Sequence, residues 1–245
     1  MREEYLSRVP EWYRSFEKFD VVLSDDLDGI VSTSALKFAK NWNVEYFYDF
    51  SKLYVSGKTY FKENKSATRV WADVAITRRE MTFDEHSSRK NLGDKLNDLC
   101  INPNVITNVT NENYYDKYCG SSALLIWSLY NIPLPETELG KMLLLCIDST
   151  FKGFFGYNNF KERNRFYLCD VLGFEELYEV EKRHSREEFY ELISKYNLNA
   201  KTTIDKDGYL HTDLDLDFIG KELGIELSIP TDKCFIEWRA LEEHK

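Results

Sequence analysis

Cysteine is sparse and unclustered in this chain: Cys100, Cys119, Cys146, Cys169 and Cys234 are its five copies, with no Cys-x-x-Cys pair. That spacing excludes a zinc knuckle and offers no disulfide framework, so reduced thiols packed as small hydrophobes are expected. Positive charge is also in deficit. Lys and Arg total 32 against 42 Asp and Glu, a formal net charge of −10, which is not the basic footprint of a protein that grips a long nucleic acid. A short or small phosphate-bearing ligand suits that balance better. No apolar run approaches the roughly 20 residues of a membrane span. The polar start Met1-Arg2-Glu3-Glu4-Tyr5 has no signal-peptide apolar region, so a soluble, cytoplasmic chain with no membrane partner is expected. Neither a Gly-x-x-x-x-Gly-Lys phosphate loop nor a Gly-x-Gly-x-x-Gly fingerprint occurs, which leaves no support for a nucleoside triphosphatase or a dehydrogenase.

What is present is a chain of 245 residues with 15% aromatics, enough for one large α/β domain with a smaller appendage. Residues 1–19 read as an amphipathic helical lead-in. Asp20-Val21-Val22-Leu23-Ser24 is a short apolar run that ends in acidic residues and Gly29, as a buried parallel strand ends at a loop. Helical spacing follows over 30–42, then a strand over 44–48. Further strands are predicted at Arg69–Ala72 and Met81–Phe83, and helices over 113–130, 136–147 and 161–196. A hairpin turns at Lys206-Asp207-Gly208, a helix spans 216–225, and Cys234–Trp238 is a last strand. Strands alternating with helices imply a doubly wound, mostly parallel sheet, with its ligand site beyond the carboxyl ends of the strands. A domain boundary is placed near 198, giving a main domain over 1–197 and a small α/β C-terminal domain over 198–245.

Acidic residues recur at those strand ends. Asp26 and Asp28 follow the first strand, Asp73 the third, Asp84-Glu85-His86 the fourth, and Asp148 closes an apolar helix. One such pair would be an ordinary solvated turn. Four elements delivering carboxylates and an imidazole to neighbouring strand ends predict a site for hard divalent cations, Mn²⁺ or Mg²⁺. The Trp residues are too dispersed for a stacking platform and are read as core. His184, in a charged helix, is read as a surface residue, and His211 and His244 have no companion at ligand spacing.

These four motifs, in this order, resemble the DHH phosphoesterase superfamily, which includes RecJ-like exonucleases, oligoribonucleases, cyclic-dinucleotide phosphodiesterases and family II pyrophosphatases. The likeness covers roughly residues 20–150: Asp-x-Asp at Asp26-Leu27-Asp28, an Asp after a strand at Asp73, Asp-Glu-His at 84–86 in place of Asp-His-His, and Asp148-Ser149-Thr150 after a helix. The small-residue helix start at Cys119-Gly120-Ser121-Ser122 adds to it. The resemblance implies a DHH-type fold and one or two ions held by Asp26, Asp28, Asp73, Glu85 and Asp148, with Asp73 as the bridge. It implies that Asp84 orients the loop and that His86 faces the phosphate or leaving group, so that Asp84 and His86 form the catalytic pair.

The pattern departs from the family where Glu85 replaces the first His and Val22 stands where some members carry another. No Gly-Gly pair occurs after residue 150, so the Gly-Gly-Gly-His substrate loop of the common nucleases is missing. Arg78, Arg79, Arg89 and Lys90 follow the motifs and are the candidates for substrate phosphate, with Lys201 and Arg239 in the second domain. The expected activity is metal-dependent hydrolysis of short oligonucleotides or small nucleotides by an activated water. The alternatives are a RecJ-like exonuclease on single-stranded nucleic acid, or a degenerate, non-catalytic subunit of a replication or repair assembly.

Overall fold

Val21, Val22 and Leu23 are completely buried, as an uninterrupted apolar run requires when both faces of a strand are covered. The computed structural model describes residues 1–61, 68–87, 89–157 and 159–238, so Arg239 and His244 lie outside the described residues. Its strands are β1 (Asp20–Ser24), β2 (Asn43–Tyr48), β3 (Leu53–Ser56), β4 (Arg69–Ala72), β5 (Met81–Phe83), β6 (Cys100–Ile101), β7 (Thr202–Ile204), β8 (Leu210–Thr212) and β9 (Phe235–Glu237). The α-helices are α1 (Glu3–Leu6), α2 (Leu27–Lys40), α3 (Gly57–Tyr60), α4 (Pro103–Ile106), α5 (Ser122–Leu129), α6 (Glu138–Cys146), α7 (Phe160–Arg165), α8 (Glu175–Arg183), α9 (Arg186–Lys195) and α10 (Leu216–Leu223).

Among the described residues, seven strands form one sheet in the order β6-β5-β4-β1-β2-β3-β9. The five from β6 to β2 run parallel, and β3 is antiparallel to β2 and β9. This is an α/β fold with a mostly parallel central sheet, compatible with the doubly wound class. The chain leaves β1 towards β2 on one side and returns to β4 on the other, so the strand order reverses at the carboxyl end of β1. In open α/β sheets such a switch point leaves a crevice where ligands bind.

Local chemistry sets the element ends. Asp26 caps α2 by accepting from Gly29 N at 3.1 Å, and Asn41, in the left-handed region at φ 55°, stops that helix. Gly29 is obligatory for a close approach: a Cβ there would collide with Ser24. The predicted lead-in helix is instead two short pieces, α1 and a 3-10 turn at Glu11–Arg14, because Pro10 removes a donor and restricts the residue before it. The helix predicted over 113–130 is α5 preceded by a 3-10 turn at Tyr114–Asp116. Strands β3 and β6 are additions; β6 has two residues, too few for any periodic signal. No helix among the described residues is long and apolar enough to cross a membrane.

Residues 198–238, expected as a smaller domain, contribute to the main core and sheet. Leu210, Leu214, Ile219, Leu223 and Phe235 belong to the same buried cluster as Val21, Leu23 and Trp127, and β9 extends the sheet by pairing with β3. Helix α10 packs on α6 at Gly140, where a Cβ would strike the Glu222 backbone carbonyl. We therefore predict that Gly140→Ala destabilises the whole fold by about 1–3 kcal/mol, measured by urea unfolding. A single transition with a lowered midpoint is the expected result; an unchanged midpoint would contradict the packing described.

Candidate metal centre

The parallel register carries polar residues to one level at the carboxyl ends of four adjacent strands. Trp71 pairs with Thr82 and Ala72 with Phe83, and the ladder continues as Asp73 N donates to Phe83 O at 3.0 Å and Asp84 N to Ile101 O at 3.0 Å. Side chains then link across the strands. Ser24 Oγ donates to Asp73 Oδ2 at 3.0 Å, and Asn102 Nδ2 donates to Asp84 Oδ2 at 2.8 Å. Ser24, Asp73, Asp84 and Asn102 are all buried, each held by a neighbour rather than by solvent.

The Asp84-Glu85-His86 turn is fixed from both sides. Asp84 Oδ1 accepts from His86 N at 3.0 Å and lies 2.8 Å from His86 Nδ1. Glu85 Oε1 is 3.1 Å from the same nitrogen. Asn102 Nδ2 also donates to His86 O at 2.8 Å, and Asn104 Nδ2 to Glu85 O at 2.5 Å. His86 Nε2 has no hydrogen-bond partner among the described residues, and its side chain is 55% exposed.

Helix α5 supplies the third wall. Asp28 Oδ2 accepts from Ser122 N at 2.7 Å, and Asp28 Oδ1 from Ala123 N at 2.8 Å and Ser32 Oγ at 3.1 Å. Two free amides at a helix N-terminus are a natural anion seat, and here a side chain of the chain fills it. The Ser122 hydroxyl donates to Glu85 Oε2, so one turn of helix holds two of the acidic groups.

Asp73, Glu85 and His86 each offer a ligand atom within 4.8 Å of the other two. Asp26, Asp28 and Asp148 line an adjoining cavity of about 190 Å³ together with Ser149 and Lys201. Asp73 and Asp148 have positive φ, 60° and 47°, a conformation that costs energy for a side chain with a Cβ and persists only where its surroundings impose it.

Such crowding of acids shifts their titration. Burial, then the charges of Glu85, Asp148 and Asp26, pushes the Asp28 carboxyl well above its usual range. Burial, then Asp28, Glu85 and Asp26, does the same to Asp73. Glu85 is pushed up to about 7 by burial. Asp148 lines the cavity and is exposed to solvent, yet desolvation by the protein around it, then Asp26, raises it too. His86 is raised to about 9, first by its hydrogen bond to Asp84.

Most of the basic candidates have partners of their own. Arg78 pairs with Glu80 at 2.5 Å and Arg79 with Asp98 at 3.0 Å. Arg89 is buried and donates to Val109 O and Asn108 Oδ1, so it braces a loop. Lys90 is exposed, and its backbone amide donates to Asp94. Lys201 is the cation beside the acids, with Nζ 2.8 Å from Asp25 Oδ1 and 3.2 Å from Asp26 Oδ2. Sequence reasoning gave no role to Ser24, Asn102 and Asn104, and marked Ser122 only as part of a small-residue helix start. For Asn102 the legible signal was position, since it directly follows the apolar pair Cys100-Ile101.

Comparison with protein-family models, with curated proteins and with solved structures finds no match to this chain.

A carboxyl raised by folding binds its proton more tightly in the native state. Its contribution is full below the unfolded pKa and is lost as pH rises through the folded one. For Glu85 that window runs from 4.5 to about 7. The contribution of His86, raised from 6.5 to about 9, is lost only above 6.5. In EDTA, Glu85→Gln should therefore gain on wild type in Tm by roughly 5 °C or more between pH 5 and pH 7. Parallel Tm curves for the two proteins would contradict the burial of an acid at this position.

Proposed function

We propose that the chain is a DHH-type, metal-dependent phosphodiesterase of the cytoplasm that hydrolyses short oligonucleotides or small nucleotides. The observation that carries this reading is the meeting of Asp73, Glu85 and His86 within 4.8 Å at the switch point of a mostly parallel sheet. Its donor set of two carboxylates and one imidazole fits Mn²⁺, and Mg²⁺ less well because of the nitrogen. Like charges buried together raise one another's pKa values, and a divalent cation relieves that repulsion. The five free cysteines support a reducing compartment.

When bound, such an ion supplies positive charge to a phosphoryl oxygen and lowers the pKa of a coordinated water. The residues of the chain do the rest. Asp84 holds Nδ1 of His86 and so fixes the ring while Nε2 has no partner among the described residues, the arrangement in which a carboxylate orients a metal-binding or proton-donating imidazole. The α5 turn fixes Glu85 through Ser122 and holds Asp28 at the cavity wall. Asp148 and Asp26 border the space that a phosphate would enter. One ion is the count favoured, because three donors already hold the Asp28 oxygens and Lys201 already neutralises Asp26.

That last contact also favours a second reading, a non-catalytic binding subunit, since the chain itself provides a cation where a metal would otherwise sit. Turnover separates the two. With Mn²⁺ and a short RNA or DNA oligomer, the wild type should release mononucleotides, and Asp73→Asn should lose about a hundredfold to a thousandfold in kcat. Turnover that survives EDTA, or that Asp73→Asn retains, would contradict the metal-dependent reading; a wild type inert on oligonucleotides and small nucleotides would favour the binding subunit.

A further inference from the structure

Lys201 is built into the acidic cavity and anchored from its own backbone. Its Nζ meets two carboxylates of the loop after β1, Asp25 Oδ1 at 2.8 Å and Asp26 Oδ2 at 3.2 Å. It lines the cavity together with Asp26, Asp28 and Asp148. The next residue ties it there: Thr202 is buried, and its amide donates to Asp25 O at 2.6 Å. The other oxygen of Asp26 is already engaged, accepting from Gly29 N at 3.1 Å as the cap of α2. The charge of Asp26 bears on Asp28, Asp73 and Asp148 alike, so a cation beside it eases the whole group.

We propose that Lys201 is a tethered cation standing in a latent divalent-cation seat on Asp25 and Asp26, and that it limits the centre to one bound ion. The first ion rests on the metal-dependent reading. The seat under Lys201 stands on its own observation, an ammonium held between two convergent carboxylate oxygens. One or two carboxylates completed by waters are a donor set that Mg²⁺ accepts. A divalent ion in that seat would have to displace the ammonium, since two cations at such a separation repel. An ion pair whose lysine side chain is 51% exposed is weak by itself. The Thr202 bond offsets that weakness by keeping the ammonium at high effective concentration beside its partners. The same exposure means that the side chain can be removed with little effect on the fold.

Calorimetric titration with Mn²⁺ alone at pH 7.5 reads the ion count without substrate or turnover. Wild type should bind one ion and Lys201→Ala two, while Lys201→Arg, which keeps the charge, should stay at one. Lys201→Ala/Asp26→Asn should return to one and so locate the added ion, because Asn still caps α2. A count of one in Lys201→Ala, a count of two in wild type or Lys201→Arg, or an added ion that survives Asp26→Asn would overturn the proposal. Failure of the metal-dependent reading looks different. No ion in wild type but one in Lys201→Ala would remove that reading and leave this inference standing; no ion in either protein would remove both.

Discussion

The Asp28 carboxylate, seated on the amides of Ser122 and Ala123, ties the loop after β1 to the first turn of α5. Both amides belong to a helix end that has no carbonyl partners for them, and the positive pole of that helix favours an anion. The same turn reaches Glu85 through the Ser122 hydroxyl, so the loops after β1 and β5 are registered on one element. Without that anchor the acids would have no common reference. With it, Asp73 on the intervening strand needs only its bond from Ser24 to face the same place.

This arrangement works against the stability of the charged protein. Asp28, Asp73, Glu85 and Asp148 are all raised by burial, meaning that folding is opposed by each charge they carry. Ser24, Ser122 and the α5 amides offset part of that, and His86 offsets more at Glu85. The remainder is the electrostatic debt a divalent cation would settle. Positive φ at Asp73 and Asp148 adds local backbone cost at the same spot, and costs concentrated in one place are characteristic of a functional site.

Much of the frame was legible in the chain. β1, β4 and β5 announce themselves because a buried parallel strand is a short apolar run that must end in polar residues at a loop. The level row of Ser24, Asp73, Asp84 and Asn102 was not legible, since register between strands distant in sequence is decided by packing and not by local pattern. The N-terminal helix failed at Pro10, where an apolar stripe was given more weight than a missing donor. Asp28 also shows how far spacing reaches: an Asp two residues from another predicts proximity to a site, whereas its use as a seat on α5 depends on a helix 94 residues away. Arg78 and Arg79 were chosen for nearness in sequence to Asp73, yet Glu80 and Asp98 hold them, whereas Lys201, also named from the sequence, does line the cavity.

Calorimetric titration of the protein with Mn²⁺ at pH 7.5 tests the central claim most directly. The account predicts one ion per chain, bound with proton release from the raised carboxyls, and at least tenfold weaker binding in Asp73→Asn, Glu85→Gln and His86→Ala alike. No bound ion, or an affinity untouched by these three substitutions, would contradict it.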